Sequence, residues 1–336
     1  MAGTEARWDV YGHDWAVDYL QAGMRFGRTR QAYLITGTPS IGKTRFAHSF
    51  AAALNCTHPE PGIRPCGQCR SCHLMESGNH PDILYTELDP TTNNLKIETL
   101  RDVMRRLSLK PYDARYRIAI VSNFEKARGQ AQDAILKTLE EPPPYAILIL
   151  LANNTENTLA TVQSRCQMVY LRPVAADMIQ ATLTERFGTI DEKAALLARL
   201  SGGRIGWAIS AAHDDAVLQQ RTDAVALLEQ TLTQTRRERF ATADLLAKDK
   251  DKSPLLALLD LWQTYWRDLL LMSLGNLVKP VNIDRLDALE RFARVLDPDA
   301  IEKALKATRR AQGLIENTNT AVRLLLEVLF LDYPSA

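Results

Sequence analysis

Residues 37–44 read Gly37-Thr38-Pro39-Ser40-Ile41-Gly42-Lys43-Thr44, and they stand between an apolar run at 32–35 and an amphipathic run at 45–54. This order predicts a strand, a glycine-bearing loop and a helix, and the loop fits the GxxxxGK[ST] phosphate-binding pattern. Backbone N–H groups of such a loop and of the following helix N-terminus form a positively polarised cradle for polyphosphate. We therefore predict a site for ATP or ADP, with Lys43 at the outer phosphates and Thr44 at Mg²⁺. The alternative is a chance glycine turn at a helix start.

Composition sets the limits for the rest of the chain. Its 336 residues are enough for two or three domains, and 46% of them are hydrophobic, which suffices for ordinary cores. Lys and Arg number 41 against 40 Asp and Glu, a formal net charge of +1. This balance excludes a protein that binds nucleic acid through overall basic charge, so any DNA contact must be local or shared. No apolar run reaches membrane-span length and no signal-peptide core precedes Trp8, so we expect a cytoplasmic protein without a membrane partner.

Four of the five cysteines stand close together in the pattern C-x9-C-x2-C-x2-C. Thiolates two residues apart can bind one tetrahedral ion, and four sulfurs complete a structural Zn²⁺ site with no open position for catalysis. We predict that a small loop-rich insertion at 56–72 is held together by zinc. The predicted ligands are Cys56, Cys66, Cys69 and Cys72. His58 or His73 could replace one cysteine, and a set of free buried thiols is the alternative.

Strand-like and helix-like patterns alternate through the first half of the chain. Five strands are predicted at 32–35, 82–86, 117–121, 145–152 and 167–171. The run at 145–152 is apolar throughout, which is typical of a parallel strand covered on both faces. Strands alternating with helices after a phosphate loop predict a doubly wound parallel α/β sheet. From Pro173 onward the patterns are helical, so the fold class is α/β followed by all-α.

Three further motifs carry a family resemblance. They are the run Ala134-Ile135-Leu136-Lys137-Thr138-Leu139-Glu140-Glu141-Pro142-Pro143, the triplet Ser164-Arg165-Cys166 and the four-cysteine insertion. Together with the phosphate loop they resemble the AAA+ clamp-loader subunits of bacterial DNA polymerase III, over roughly residues 8 to 172. The resemblance implies an AAA+ domain at 1–173, a small helical lid at 174–214 and a helical collar at 215–336.

The resemblance also implies partners and a role for Arg165. Family members form a pentamer of tau/gamma, delta and delta-prime subunits that opens a sliding clamp and closes it on primer-template DNA. Arg165 would be an arginine finger that reaches into the neighbouring subunit's site and stabilises charge on the transferring phosphoryl group. The alternative is a surface arginine in an ordinary salt bridge. Cys166 would be a packing residue, not a metal ligand.

The sequence departs from the family's motor subunits at the catalytic positions. A working AAA+ ATPase carries two acidic residues after its third strand, whereas Ser122 and Asn123 stand there. Glu125 follows two residues later, and we expect it to point elsewhere. The family's lid arginine position falls on Gly206, with Arg204 two residues early as a possible replacement. Asn153 or Asn154 could still sense the γ-phosphate.

The departures favour a subunit of the delta-prime type, which binds nucleotide, hydrolyses little of it and supplies Arg165 to a motor subunit. One alternative is an active tau/gamma-like ATPase in which Glu125 takes the acidic role. Another is an AAA+ adaptor unrelated to the polymerase, with other partners for its helical domain.

Overall fold

The structure is a computed structural model that describes residues 8–89, 93–249, 251–275, 279–318 and 320–335. The chain divides into two compact units. The first comprises residues up to Thr182 together with Gly203–Trp207, and the second comprises Leu183–Gly202 and the chain from Ala208 onward. The predicted three-domain boundaries remain a prediction.

The first half of the chain alternates strands and helices as predicted. In order its elements are α1 (Asp14–Arg25), β1 (Ala32–Thr36), α2 (Lys43–Asn55), α3 (Arg70–Glu76), β2 (Ile83–Tyr85), α4 (Ile97–Leu107), β3 (Arg117–Val121), α5 (Gly129–Glu140), β4 (Ala146–Ala152), α6 (Ala160–Gln163) and β5 (Gln167–Tyr170). The five strands form one sheet in the order β2-β3-β4-β1-β5, and every pairing is parallel. The predicted parallel α/β sheet is confirmed.

Both faces of the sheet are covered by helices. Successive side chains of a strand point to opposite faces, so they belong alternately to two cores. On β4, Ile147, Ile149 and Leu151 belong to a core that also contains α1 and α2 residues. Leu148 and Leu150 belong to a second core with residues of α4 and α5. All seven residues of β4 are buried, which explains its unbroken apolar run. A double covering of this kind leaves the loops at the strand ends as the exposed places where a site can form.

The remainder is helical, as the sequence predicted. Its helices are α7 (Ala176–Phe187), α8 (Asp191–Leu200), α9 (Ile205–His213), α10 (Asp215–Thr233), α11 (Arg236–Leu246), α12 (Ser253–Ser273), α13 (Leu286–Val295), α14 (Pro298–Asn317) and α15 (Val322–Asp332). Trp262 and Trp266 of α12 are fully buried and belong to the second unit's core. Across the described ranges, no helix combines the length and the apolar character needed to cross a membrane.

One buried arginine ties three of these helices together. The Arg239 guanidinium on α11 donates to the carbonyl oxygens of Thr231 at 2.9 Å, Phe330 at 2.9 Å and Tyr333 at 2.8 Å. Helix C-termini expose carbonyl groups without intrahelical partners, and a buried guanidinium with five N–H donors satisfies several of them at once. Arg239 therefore anchors the C-terminal ends of α10 and α15.

Candidate nucleotide, metal and arginine sites

The predicted phosphate loop joins β1 to α2 at the carboxyl end of the sheet. Lys43 is the first residue of α2, and its ammonium group donates to the carbonyl oxygens of Gly37 at 2.7 Å and Thr38 at 2.9 Å. A third bond, of 2.9 Å, runs to the side-chain oxygen of Asn153. Asn153 follows β4 directly, and the register pairs Thr36 with Ala152, so the parallel pairing brings Asn153 beside the loop.

The loop's shape is held from two sides. The Nε2 atom of buried His13 lies 2.9 Å from the carbonyl oxygen of Ile41. A carbonyl oxygen only accepts, so Nε2 carries the proton of this imidazole. On another side, the backbone N–H of Gly206 donates to the carbonyl oxygen of Ser40 at 2.8 Å. Within the loop Gly42 has φ of 105°, which glycine adopts without the steric penalty of a side chain.

Gly206 is where the sequence comparison expected the family's lid arginine. A Cβ at this position would lie 2.7 Å from the carbonyl oxygen of Ser40. That separation is closer than a real Cβ approaches, so the backbone contact to the loop requires glycine here. Arg204 stands just before α9, two residues from Gly206. Its role toward a nucleotide stays a prediction.

Glu125 lies on a short 3₁₀ turn after β3, and the expectation that it points elsewhere is wrong. Its carboxylate accepts from the side-chain nitrogen of Asn153 at 2.6 Å and from the backbone N–H of Asn153 at 3.2 Å. Burial raises the pKa of Glu125, while the bond from Asn153 and the charge of Lys43 oppose that rise. Burial also lowers the pKa of Lys43 to about 8, against the attraction of Glu125. Lys43, Asn153 and Glu125 thus form one hydrogen-bonded chain.

The residues at the tip of β3 carry no acidic side chain. Ser122 donates its backbone N–H to the hydroxyl oxygen of Thr86 at 3.2 Å. Asn123 has φ of 52° and precedes the turn that carries Glu125. The left-handed backbone at Asn123 begins the turn from which the Glu125 carboxylate reaches Asn153.

The four predicted zinc ligands come together in the structure. The sulfur atoms of Cys56, Cys66, Cys69 and Cys72 all lie within 4.8 Å of one another. Backbone N–H groups point at these sulfurs: Cys66 donates to Cys56 at 3.4 Å and Cys72 donates to Cys69 at 3.4 Å. Such amide donors stabilise thiolates, and four thiolates at this separation match the donor set of a structural zinc site. The cluster is therefore a candidate zinc centre, and His58 and His73 are not among its members.

Arg165 lies at the amino end of the parallel strands, whereas the phosphate loop lies at their carboxyl end. It follows α6 and stands two residues before β5, so it sits where the parallel strands begin. Its guanidinium donates to Glu140 at 2.8 Å and to the carbonyl oxygen of Thr161 at 3.0 Å, with 36% of the side chain exposed. It also lines a cavity of about 320 Å³ together with Arg30, Thr138, Ser164 and Gln167.

Cys166 also lines that cavity and stands apart from the zinc candidates. Burial raises the pKa of its thiol to about 12, so the side chain stays protonated at neutral pH. It is partly buried against the core that contains α4 and α5 residues. This agrees with the expectation of a packing residue.

Sequence reasoning missed two contributors to these sites, His13 and Glu140, and gave the wrong direction for a third, Glu125. Glu125 was visible as a carboxylate soon after an apolar strand, but its direction depends on the turn at Asn123. His13 gave a weaker signal, a histidine at a helix start after a glycine. Glu140, the partner of Arg165, lay inside a recognised motif without any sign of its contact.

Comparison with known proteins points to one family. The sequence model of the family described as DNA polymerase III, delta subunit, matches residues 12–175. The chain is 32% identical over 175 residues to the tau/gamma subunit of DNA polymerase III from Haemophilus influenzae, a match that spans 52% of this chain and 25% of that relative. It is 32% identical over 197 residues to the delta' subunit from Escherichia coli, which spans 58% of each chain.

The longest of these matches is to the delta' subunit from Bacillus subtilis. Here identity is 26% over 311 residues, and the match spans 90% of this chain and 91% of the relative. Tau-type relatives are thus matched over a small part of their length, whereas this delta' subunit is matched over nearly all of it.

Proposed function

The chain belongs to the clamp-loader subunits of bacterial DNA polymerase III, and from this premise we propose that it acts as a delta-prime subunit. In this role it joins tau/gamma and delta subunits in the cytoplasm, in an AAA+ assembly that loads a sliding clamp onto primer-template DNA. It binds ATP or ADP with Mg²⁺ in its phosphate loop, hydrolyses little of it and donates Arg165 to a neighbouring motor subunit.

The observation that carries this proposal is the placement of Arg165 relative to the phosphate loop. β1 has five residues, so its two ends are about 13 Å apart at 3.3 Å per residue. The loop lies at the carboxyl end of the sheet and Arg165 at the amino end. A nucleotide in this chain's own loop is out of reach of that guanidinium. The placement supports a finger that serves another subunit.

The weak hydrolysis rests on what surrounds the loop. Neither Ser122 nor Asn123 can act as a base near neutral pH. Loss of a positioned base typically lowers a rate by about 10²- to 10⁴-fold. Glu125 is close, but both of its oxygens already accept N–H groups of Asn153. This arrangement favours nucleotide binding without rapid turnover.

The remaining parts of the proposal concern architecture. Residues 56–72 hold a structural Zn²⁺ through the four cysteines. The helical residues 174–214 form a lid, and 215–336 form the collar through which the subunits assemble. Zinc supplies rigidity to a segment with few apolar residues of its own.

Reconstitution with tau/gamma and delta subunits tests the role of Arg165. We expect Arg165→Ala to lower the DNA-stimulated ATP turnover of the complex by about 10³-fold or more at the site it serves, without preventing assembly. Arg101→Ala is the matched control, since this exposed arginine on α4 is not among the residues that line the cavity. Turnover that is unchanged by Arg165→Ala would refute the role of Arg165 as an arginine finger. Failure of the wild-type chain to assemble with the tau/gamma and delta subunits would favour the AAA+ adaptor.

A second experiment separates this proposal from an active motor. The isolated chain should show little steady-state ATPase activity, and Glu125→Gln should not lower it. Fast hydrolysis that Glu125→Gln abolishes would show that Glu125 has taken the catalytic role. Asn123→Glu tests whether a carboxylate at the strand tip restores turnover.

A further inference from the structure

The Asn153 side chain is shared between a carboxylate and an ammonium group, which fixes its orientation. Glu125 can only accept hydrogen bonds when ionised, and Lys43 can only donate them. The amide nitrogen of Asn153 therefore faces Glu125, at 2.6 Å, and its oxygen faces Lys43, at 2.9 Å. The backbone N–H of Asn153 also donates to Glu125, so the carboxylate accepts two hydrogen bonds from this residue.

This orientation is unfavourable for a third phosphate. Phosphate oxygens accept hydrogen bonds, so a residue that senses the γ-phosphate must offer a donor. Asn153 instead turns an acceptor toward Lys43, the residue that reaches the outer phosphates in a phosphate loop. Lys43 has three N–H donors, and the carbonyl oxygens of Gly37 and Thr38 take the other two. A γ-phosphate has to break the bond from Lys43 to Asn153 and to approach the Glu125 carboxylate.

A diphosphate avoids most of this conflict. Its phosphates are held by the loop N–H groups and the start of α2, which do not involve Glu125. The two nucleotides therefore differ mainly in what the third phosphate meets at Asn153 and Glu125.

We propose that Glu125 is a specificity-determining residue that makes the phosphate loop prefer a nucleoside diphosphate over a triphosphate. The inference rests on the proposed nucleotide binding and adds to it the form of nucleotide that the site holds. Its expected size is roughly ten- to hundredfold in relative affinity, the range for one hydrogen bond to a charged group.

Calorimetric titration of the full chain with Mg²⁺·ADP and with Mg²⁺·ATP tests the proposal. The wild-type chain should bind ADP at least roughly tenfold more tightly than ATP. Glu125→Gln, which keeps the shape and removes the charge, should reduce that ratio by roughly tenfold or more through tighter ATP binding alone. Glu125→Asp keeps the charge and should retain the preference for ADP. Glu156→Gln is the control, an exposed carboxylate three residues beyond Asn153.

The outcomes separate the inference from its premise. Equal affinity of the wild-type chain for ATP and ADP overturns the inference, whether or not any variant folds. A ratio that is the same in Glu125→Gln and in the wild type also overturns it, while nucleotide binding stands. Failure of the folded wild-type chain to bind either nucleotide removes the premise and the inference together.

Discussion

Replacing Gly206 by alanine should loosen the phosphate loop. The new Cβ would lie 2.7 Å from the carbonyl oxygen and 3.3 Å from the carbonyl carbon of Ser40. Both are backbone atoms, so no flexible side chain can turn aside, and the loop or the start of α9 must move. The hydrogen bond of 2.8 Å from Gly206 to Ser40 then lengthens.

The size of the effect follows from three contributions. Overpacking of this kind costs about 1–3 kcal/mol. The weakened hydrogen bond costs about 0.5–1.5 kcal/mol more. Alanine recovers up to about 1 kcal/mol through its higher helix propensity. With midpoint costs of about 2 and 1 kcal/mol and the full gain of about 1 kcal/mol, the net loss is about 2 kcal/mol. A loss of this size in the loop conformation would weaken nucleotide binding by roughly 30-fold.

Calorimetric titration with Mg²⁺·ADP measures this loss, and thermal unfolding shows whether the rest of the chain is affected. Gly313→Ala is the matched control, since Gly313 lies inside α14 and its added Cβ would meet nothing within 4 Å. That control should leave nucleotide binding unchanged and should stabilise the chain slightly. Wild-type affinity in Gly206→Ala would refute the reasoning, because the loop would then tolerate the displacement.

Two further predictions concern the metal cluster and the loop lysine. Metal analysis of protein purified without chelator should give about one zinc per chain. The variant Cys69→Ser should have a lower zinc content, whereas the control Cys166→Ser should keep the wild-type content. Wild-type protein without zinc would refute the assignment of the four cysteines as zinc ligands. Nucleotide affinity should fall as pH rises above about 8, because burial holds the pKa of Lys43 at about 8 and phosphate binds the ammonium form. Above that pKa the neutral amine of Lys43 must take up a proton when the nucleotide binds, so the Kd for nucleotide should rise by up to about tenfold per pH unit in titrations between pH 7 and 9.5. A constant Kd over that pH range would contradict the assignment of Lys43 as the phosphate-binding lysine.

Local patterns in the sequence were sufficient for the sheet and for the metal cluster. The bounds of the five strands were predicted to within one residue at each end, because an apolar run between turn residues is a local property of the chain. The loop at 37–44 and the cysteine spacing were equally clear, since each motif lies within one short segment, of eight residues for the loop and of seventeen for the cysteines. For the same reason the helical character of the second half could be predicted.

The sequence by itself thus determined the parallel α/β class, the place of the phosphate loop and the four cysteines that meet. Only the tertiary structure decided that the contact with Ser40 requires glycine at position 206 and that Glu125 accepts hydrogen bonds from Asn153. It also decided that Arg165 lies at the end of the strands opposite the loop. The contacts of Gly206 with Ser40, of Glu125 with Asn153 and of Arg165 with Glu140 join residues that are between 25 and 166 positions apart along the chain. The position of Arg165 relative to the loop depends in addition on which end of its strand it adjoins. Such distances are fixed by packing and strand order, which no short stretch of sequence encodes.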